Sequence, residues 1–132
     1  MELMRIYINL IDTLTVKSEN TTINMILFDG YCDSDTFQGT ILPGGVDTQK
    51  IAPDGSGLLS ARYILQGKDP EGNPCHLFIE NTATIQDGII GITQPKIYTD
   101  SLSLKWLEKE PLYGRILTEG EQLIIAIYEG QA

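Results

Sequence analysis

The strongest constraint in the sequence is an alternation of apolar and polar residues with a period of two. In the segment 5–14, for example, Ile6, Ile8, Leu10 and Leu14 are predicted to share one face. This spacing is typical of a β-strand, in which successive side chains point to opposite faces. The same alternation, or a run rich in isoleucine, predicts strands in a series of segments: 5–14, 22–29, 35–42, 57–66, 75–82, 89–98 and 122–129.

Clusters of glycine, proline, asparagine and aspartate separate these segments. They include Pro43-Gly44-Gly45, Asp54-Gly55 and Asp87-Gly88, residue types that supply the backbone angles of tight turns. Thr118-Glu119-Gly120-Glu121 joins two short strand patterns and is typical of a hairpin. Consecutive hairpins favour an all-β protein, a closed antiparallel up-and-down barrel of about eight to ten strands, because closure removes exposed strand edges. The chain has 132 residues, so we expect one domain, residues 1–132.

One segment departs from the alternation. Before Pro111, Leu102 and Trp106 would share a face if the chain were helical. Ser101 is then a candidate N-cap, and Pro111 would end the helix. We therefore predict a short helix near residues 101–109 that lies across one end of the barrel.

The chain is acidic, with 18 Asp and Glu residues against 9 Lys and Arg residues and a formal net charge of −9. Nucleic-acid binding depends on basic side chains that neutralise phosphates, and the basic residues here are scattered. Nucleic acid is therefore not an expected partner. The N-terminal residues lack the pattern of a secretory signal, and no segment approaches the roughly 18 apolar residues of a spanning helix. We expect a cytoplasmic protein without a membrane partner.

Cysteine and histidine are too few for a disulfide framework or a recognisable metal site. Cys32 and Cys75 are the two cysteines, expected as free thiols, and His76 is the only histidine. Neighbouring residues on a strand point to opposite faces, so the adjacency of Cys75 and His76 does not make a ligand or nucleophile pair. The Gly-rich turns lack the Lys-Ser/Thr ending of a phosphate-binding loop. We therefore expect neither a metal nor a cofactor.

A group of polar residues on two neighbouring strands is a candidate binding cluster. Arg62 lies on the strand face opposite Ala61 and Tyr63, and the next strand carries His76 and Glu80 on one face. If these polar faces coincide inside the barrel, Arg62, His76 and Glu80 form a polar cluster in an apolar pocket, as in a ligand site. If the opposite face lies inside, Arg62 is in solvent and pairs with Glu80 across the strands. The second arrangement is favoured, because exposed arginine is the norm.

Three short runs resemble an uncharacterised protein family. The runs are Phe37-Gln38-Gly39-Thr40, Leu42-Pro43-Gly44-Gly45-Val46-Asp47 and Ala61-Arg62-Tyr63-Ile64-Leu65. Together with the turn at Asp54-Gly55 and a tail that places Trp106-Leu107 before a final hairpin, they are similar to the domain-of-unknown-function family 3237. The similarity covers most of residues 30–130.

The resemblance implies a small closed β-barrel without an established general activity. Carried over position by position, it points to Asp47, Arg62 and Tyr63 as candidate ligand-binding residues. The chain departs from the family pattern at Thr48, where an aromatic residue is common, and at Ser60, where an acid is common.

These observations support three hypotheses on function. The first is a barrel that binds a small, partly apolar ligand in its lumen, with candidate site residues Asp47, Arg62, Tyr63, His76 and Glu80. The second is a small-molecule enzyme, an isomerase or hydrolase, with Asp47, His76 or Glu80 as acid or base at the barrel mouth. The third is an interaction module that acts through its outer face or as a homo-oligomer.

Overall fold

Ten β-strands account for most of the chain in the computed structural model, which describes residues 1–132. The strands are β1 (Glu2–Lys17), β2 (Thr22–Asp33), β3 (Gln38–Ile41), β4 (Val46–Ile51), β5 (Gly57–Lys68), β6 (Pro74–Gln86), β7 (Ile89–Ile90), β8 (Gln94–Thr99), β9 (Leu112–Glu119) and β10 (Gln122–Glu129). The helical content is one 3₁₀ turn at Lys105–Glu108. No helix of the protein has the length and apolar character needed to cross a membrane. The prediction of an all-β protein is confirmed.

The strands form an antiparallel meander that returns to its start, because β10 pairs with β1. Two places in this ring are each filled by two short strands. β3 and β4 follow one another between β2 and β5, and β7 and β8 follow one another along β6. The break between β3 and β4 falls at the Pro43-Gly44-Gly45 turn, so β4 is a separate strand that the alternation did not predict.

The ring closes unevenly at the seam between β8 and β9. An isolated bridge joins the chain there: the N–H of Thr93 donates to the carbonyl of Gly114, and the N–H of Gly114 donates to the carbonyl of Thr93, both at 2.9 Å. A Cβ at Gly114 would collide with the hydroxyl of Thr93, so a larger residue here would displace that side chain. The predicted antiparallel barrel is confirmed. Neighbouring strands are joined by ladders of paired residues around the ring, and the seam between β8 and β9 is joined only by this bridge.

The pairing of β5 with β6 shows which face of each strand is buried. Tyr63 pairs with Ile79 and Leu65 with Leu77, and all four side chains are buried. Directly paired residues of antiparallel strands lie on the same face of the sheet. The inner face of β5 is therefore the one that carries Leu59, Ala61, Tyr63 and Leu65.

The alternation in β1 does not hold along its whole length. Leu14 is predicted on the same face as Ile6 and Ile8, but it is 51% exposed. The register of β1 against β2 shifts between Leu10 and Asp12, where two residues of β1 oppose one of β2. A bulge of this kind moves every later side chain to the other face, which is why the prediction for Leu14 is wrong.

The helix predicted over residues 101–109 is shorter than expected and buries different side chains. Leu102 is 88% exposed, whereas Leu104 and Leu107 are buried in the main core. The hydroxyl of Ser101 donates to a carboxylate oxygen of Asp69 at 2.9 Å and does not cap the turn. The segment therefore covers the barrel interior through Leu104 and Leu107 rather than through Leu102 and Trp106.

The apolar interior is divided into two clusters. The larger contains 18 buried residues, among them Leu65, Leu77, Leu104 and Leu107. The smaller contains Leu59, Ala83 and Ile85, farther along β5 and β6. Burial of these side chains is the main source of stability in a domain of this kind.

Replacing Leu107 by alanine is expected to lower the free energy of unfolding by about 2–5 kcal/mol, because the change leaves a cavity in the packed interior. Leu102→Ala in the same segment removes the same atoms from an exposed side chain and is expected to change stability by less than about 0.5 kcal/mol. Urea denaturation of both variants measures the difference. Equal effects would contradict the assignment of Leu107, and not Leu102, to the core.

Candidate ligand site in the barrel lumen

A cavity of about 200 Å³ lies inside the barrel between the two apolar clusters. Phe28 and Tyr63 of the larger cluster and Leu59 of the smaller cluster line this cavity. Leu10 also lines it and is 63% exposed, so the cavity reaches solvent at this point. The apolar lining consists of Ile8, Leu10, Ile26, Phe28, Leu59, Ala61, Ile90, Ile116, Leu123 and Ile125.

Three directly paired residues on neighbouring strands form a row across the sheet, with a polar residue on each side of a small one. Asp47 on β4 and Asn81 on β6 both pair with Ala61 on β5, and all three residues line the cavity. The spacing of neighbouring strands puts the Cα atoms of Asp47 and Asn81 about 10 Å apart. The methyl group of Ala61 leaves open space between them.

Closure of the ring brings a third polar side chain to this row. Thr93 lies at the bridge to Gly114 and is 1% exposed. Gly114 locates the side chains of both Thr93 and Asn81. A Cβ atom added to this glycine would contact the Thr93 hydroxyl and would lie 3.7 Å from the amide nitrogen of Asn81. The side chains of Thr93 and Asn81 are therefore neighbours in the cavity wall.

Four polar atoms in this wall are buried without a hydrogen-bond partner. They are Oδ1 of Asp47, Oη of Tyr63, Oδ1 of Asn81 and Oγ1 of Thr93. We call these four residues the lumen cluster. A buried polar atom without a partner costs roughly 1–3 kcal/mol, and such atoms are rare in folded proteins. Their concentration around one cavity distinguishes this region from the rest of the molecule.

Asp47 supplies the only charged side chain of the cavity wall. Burial raises the pKa of its carboxyl group, because the apolar surroundings disfavour the ionised form. The amide of Gln49 donates to Oδ2 of Asp47 at 3.1 Å, which partly opposes this rise. One carboxylate oxygen is thus held by the protein, and the other is free to bind a ligand.

Tyr63 supplies a phenol at the boundary between the cavity and the larger cluster. Its side chain is 4% exposed, and its ring meets the ring of Phe28 edge to face at a centroid distance of 5.2 Å. Burial raises the pKa of Tyr63 far above its usual value. The hydroxyl therefore stays protonated and can donate as well as accept a hydrogen bond.

Arg62, His76 and Glu80 lie on the outer face of the barrel and do not line the cavity. Nε of Arg62 is 3.8 Å from Oε2 of Glu80, and their side chains are 58% and 41% exposed. The ring of His76 contacts the carboxylate of Asp100 at 2.8 Å. This is the second of the two arrangements considered from the sequence, because the face with Tyr63 is the inner one.

Two of the residues predicted from the sequence, Asp47 and Tyr63, line the cavity. The sequence analysis did not identify the other two residues of the lumen cluster, Asn81 and Thr93. The signal for Asn81 was present: it continues the inner face of β6 two residues after Ile79. A polar residue at a position predicted to be buried is a candidate site residue. Thr93 carries no such signal, since its place depends on the bridge to β9.

The two cysteines stand apart from this site. Cys32 and Cys75 are free and buried, and neither lines the cavity. Burial raises the pKa of the Cys32 thiol to about 11, which keeps it protonated and unreactive. The protein has no group of three or more His, Cys, Asp or Glu residues that could hold a metal ion. A cytoplasmic location, where thiols stay reduced, stays a prediction.

Replacing Asp47 by asparagine is expected to stabilise the protein at neutral pH. The pKa of Asp47 in the folded protein lies above the ordinary 3.8. In the pH window between 3.8 and this higher pKa, the folded state therefore binds more protons than the unfolded state. The free energy of unfolding of the wild type therefore falls as pH rises through this window. Asp47→Asn cannot ionise and escapes this loss, so its advantage should shrink as pH falls through this window and should vanish below about 3.8, where both states of the wild type are protonated.

Urea denaturation between neutral pH and pH 3 measures this difference. Asp33→Asn is the matched control, because Asp33 is exposed and lies outside the cavity. A stability difference between wild type and Asp47→Asn that does not change with pH would contradict a carboxylate destabilised by burial.

Comparison with known proteins relates this chain to others of unknown role. The family model described as "Protein of unknown function (DUF3237)" matches residues 3–88, which include Asp47, Tyr63 and Asn81. The "UPF0311 protein CA_C3321" of Clostridium acetobutylicum is 33% identical over 76 residues. That alignment covers 56% of this chain and 46% of the relative, so it spans less than half of the relative's length.

Solved structures share the fold over nearly the whole chain. A protein with unknown function from Clostridium acetobutylicum ATCC 824 has a TM-score of 0.81 and 23% identity, and the match covers 98% of this chain and 94% of that one. An enzyme from Penicillium herquei has a TM-score of 0.69 and 15% identity, with 97% and 92% covered. The resemblance noted in the sequence is confirmed: the chain belongs to the DUF3237 family of proteins of unknown function.

Proposed function

We propose that the protein binds a small, partly apolar molecule in the barrel lumen. The observation that carries this proposal is the lumen cluster: each of its four residues has a buried polar atom without a partner, and all four line one cavity. A ligand that forms hydrogen bonds with these atoms offsets the cost of burying them. Its apolar part would contact the isoleucine, leucine and phenylalanine side chains that form most of the wall.

The cavity volume limits the size of the ligand. At about 200 Å³ it is smaller than the pockets that hold drug-sized molecules, which begin at roughly 300 Å³. An engineered apolar cavity of about 150 Å³ in another protein is large enough for benzene. A molecule with one ring and one polar substituent therefore fits this lumen.

Asp47 and Tyr63 are the sequence-predicted residues that this proposal retains as ligand contacts. Asn81 and Thr93 join them, because all four side chains line the cavity and have an unpartnered polar atom. Arg62, His76 and Glu80 are not part of the proposed site, since they lie on the outer face.

Benzyl alcohol is a suitable probe, because it has one ring and a hydroxyl that can both donate and accept. We expect it to bind with a Kd in roughly the millimolar to tens-of-micromolar range, as for other ligands of about eight heavy atoms. Toluene, which has no polar group, should bind at least about tenfold more weakly because it leaves the lumen cluster unpartnered. Isothermal titration calorimetry, or two-dimensional NMR where binding is weak, measures both affinities.

Ala61→Leu tests whether binding takes place in the lumen. The larger side chain enters the space between Asp47 and Asn81 and should abolish binding of benzyl alcohol. Thr82→Leu is the matched control, because Thr82 is exposed and lies outside the cavity. Binding of benzyl alcohol that survives Ala61→Leu would contradict the proposed function.

A second candidate function is acid–base catalysis by Asp47. Two observations favour it: the carboxyl group has a pKa raised by burial, and one of its oxygens is without a partner in the cavity that Tyr63 also lines. A carboxylate of this kind can accept a proton, and a nearby phenol can stabilise the charge that develops on a substrate oxygen. The structurally similar protein from Penicillium herquei is described as an enzyme.

Proton abstraction can be tested without the natural substrate. Acetophenone has a ring of suitable size and carbon-bound protons next to a carbonyl group. If Asp47 acts as a base, the protein should accelerate exchange of these protons for deuterium in D₂O, as followed by NMR, and Asp47→Asn should lose the acceleration. If acetophenone binds but exchanges no faster than in buffer, Asp47 does not act as a base on this class of compound.

A homo-oligomer stays a prediction. Large apolar side chains are exposed on strands β1, β2 and β5, among them Leu14, Val16, Met25 and Leu58. Apolar side chains of this size favour an interface that covers them. Sedimentation velocity decides between an oligomer and a monomer, and a single monomeric species would contradict the prediction.

A further inference from the structure

The atoms of the lumen cluster that are buried without a partner are all oxygens. Oδ1 of Asp47 and Oδ1 of Asn81 accept hydrogen bonds and cannot donate in the carboxylate and amide forms. The hydroxyls of Tyr63 and Thr93 can accept as well as donate. The atoms without partners are therefore best satisfied by a ligand that is rich in donors.

The charge inside the cavity has one sign. Asp47 is the only charged residue in the wall, and none of the nine Lys and Arg residues lines the cavity. Gln49 provides the single hydrogen bond to the carboxylate, and it is neutral. The chain as a whole carries a formal charge of −9, so no distant excess of positive charge balances Asp47.

We infer that the lumen selects small apolar amines in their ammonium form, with the cationic nitrogen between Asp47, Asn81 and Thr93. This inference rests on the proposed function and specifies the class of ligand. An ammonium group carries three N–H donors and no acceptor, which matches the unpartnered oxygen atoms of the lumen cluster. It also neutralises the buried carboxylate, which a neutral ligand does not do.

The position of the polar row fits a ligand with a charged head and an apolar body. Asp47, Ala61 and Asn81 form one row across three strands, and the small Ala61 leaves space for the head between the other two. Phe28 and Tyr63 line the cavity on the side of the larger apolar cluster. Their aromatic rings give an ammonium ion or an apolar ring a favourable contact surface.

Other ligand classes match this wall less well. A carboxylate ligand would lie beside Asp47 without a basic residue in the cavity to offset the repulsion. A neutral alcohol brings one donor to several acceptors and leaves the charge of Asp47 unpaired. Both should therefore bind more weakly than the amine of the same shape.

Benzylamine, benzyl alcohol and benzoate test the inference, because they share one ring and differ in the charge and donors of the substituent. Their affinities for the full-length chain are measured by isothermal titration calorimetry at neutral pH, where benzylamine is protonated. We expect benzylamine to bind at least about tenfold more tightly than benzyl alcohol, as charge-assisted hydrogen bonds are stronger than neutral ones. Benzoate should show no detectable binding.

Asp47→Asn identifies the source of the preference. In this variant benzylamine should bind no more tightly than benzyl alcohol, because the charge that distinguishes the two probes has been removed. A cooperative unfolding transition in urea shows that the variant is folded. Asp33→Asn removes one negative charge from an exposed position outside the cavity and should leave the preference for benzylamine unchanged.

The outcomes separate this inference from the proposed function. Equal or tighter binding of benzyl alcohol by the wild type would overturn the amine preference and leave lumen binding in place. A preference for benzylamine that survives Asp47→Asn would also overturn the inference, since the general negative charge of the protein would then be its cause. If none of the three probes binds, the proposed function itself fails.

Discussion

The pairing of β5 with β6 determines which side chains reach the lumen. Twelve residue pairs join these strands, from Gly57 with Ile85 to Lys68 with Pro74. A shift by one residue would turn the inner face of a strand outward, as it does for Leu14 beyond the bulge in β1. Leu65, Leu77 and Ile79 have no exposed surface, so slippage at these positions would expose a large apolar area. The same burial holds Tyr63 and Asn81 in the cavity wall.

The sequence predicts the β-barrel well because the alternation reports burial, which is the property that forms the sheet. It predicts the site only in part. The outer face of β5 carries the apolar Leu58 and Ile64 beside Arg62, so the local pattern favours neither face strongly. Thr93 depends on a contact with Gly114, 21 positions along the chain, that no local pattern encodes. The helical turn lies within the predicted residues 101–109 but is shorter, and Ser101 does not cap it because its hydroxyl bonds to Asp69, a residue from a distant turn.

The polar lumen is tolerated because apolar packing lies on both sides of it. The cluster of 18 buried residues and the smaller cluster of Leu59, Ala83 and Ile85 provide the burial that stabilises the barrel. Between them the chain keeps polar atoms without partners, an arrangement that reduces stability and is found where a protein keeps groups for function. The exposed pair of Arg62 and Glu80 cannot compensate for this cost, since ion pairs of this kind contribute about 0–1 kcal/mol.

Gly114 connects the closure of the barrel to the chemistry of the cavity. The backbone of β9 meets Thr93 at this residue through two hydrogen bonds of 2.9 Å. Any side chain at this position would collide with the Thr93 hydroxyl and extend toward the amide of Asn81. A residue with a side chain at position 114 would therefore have to displace the Thr93 hydroxyl, which is one of the unpartnered polar atoms of the lumen cluster.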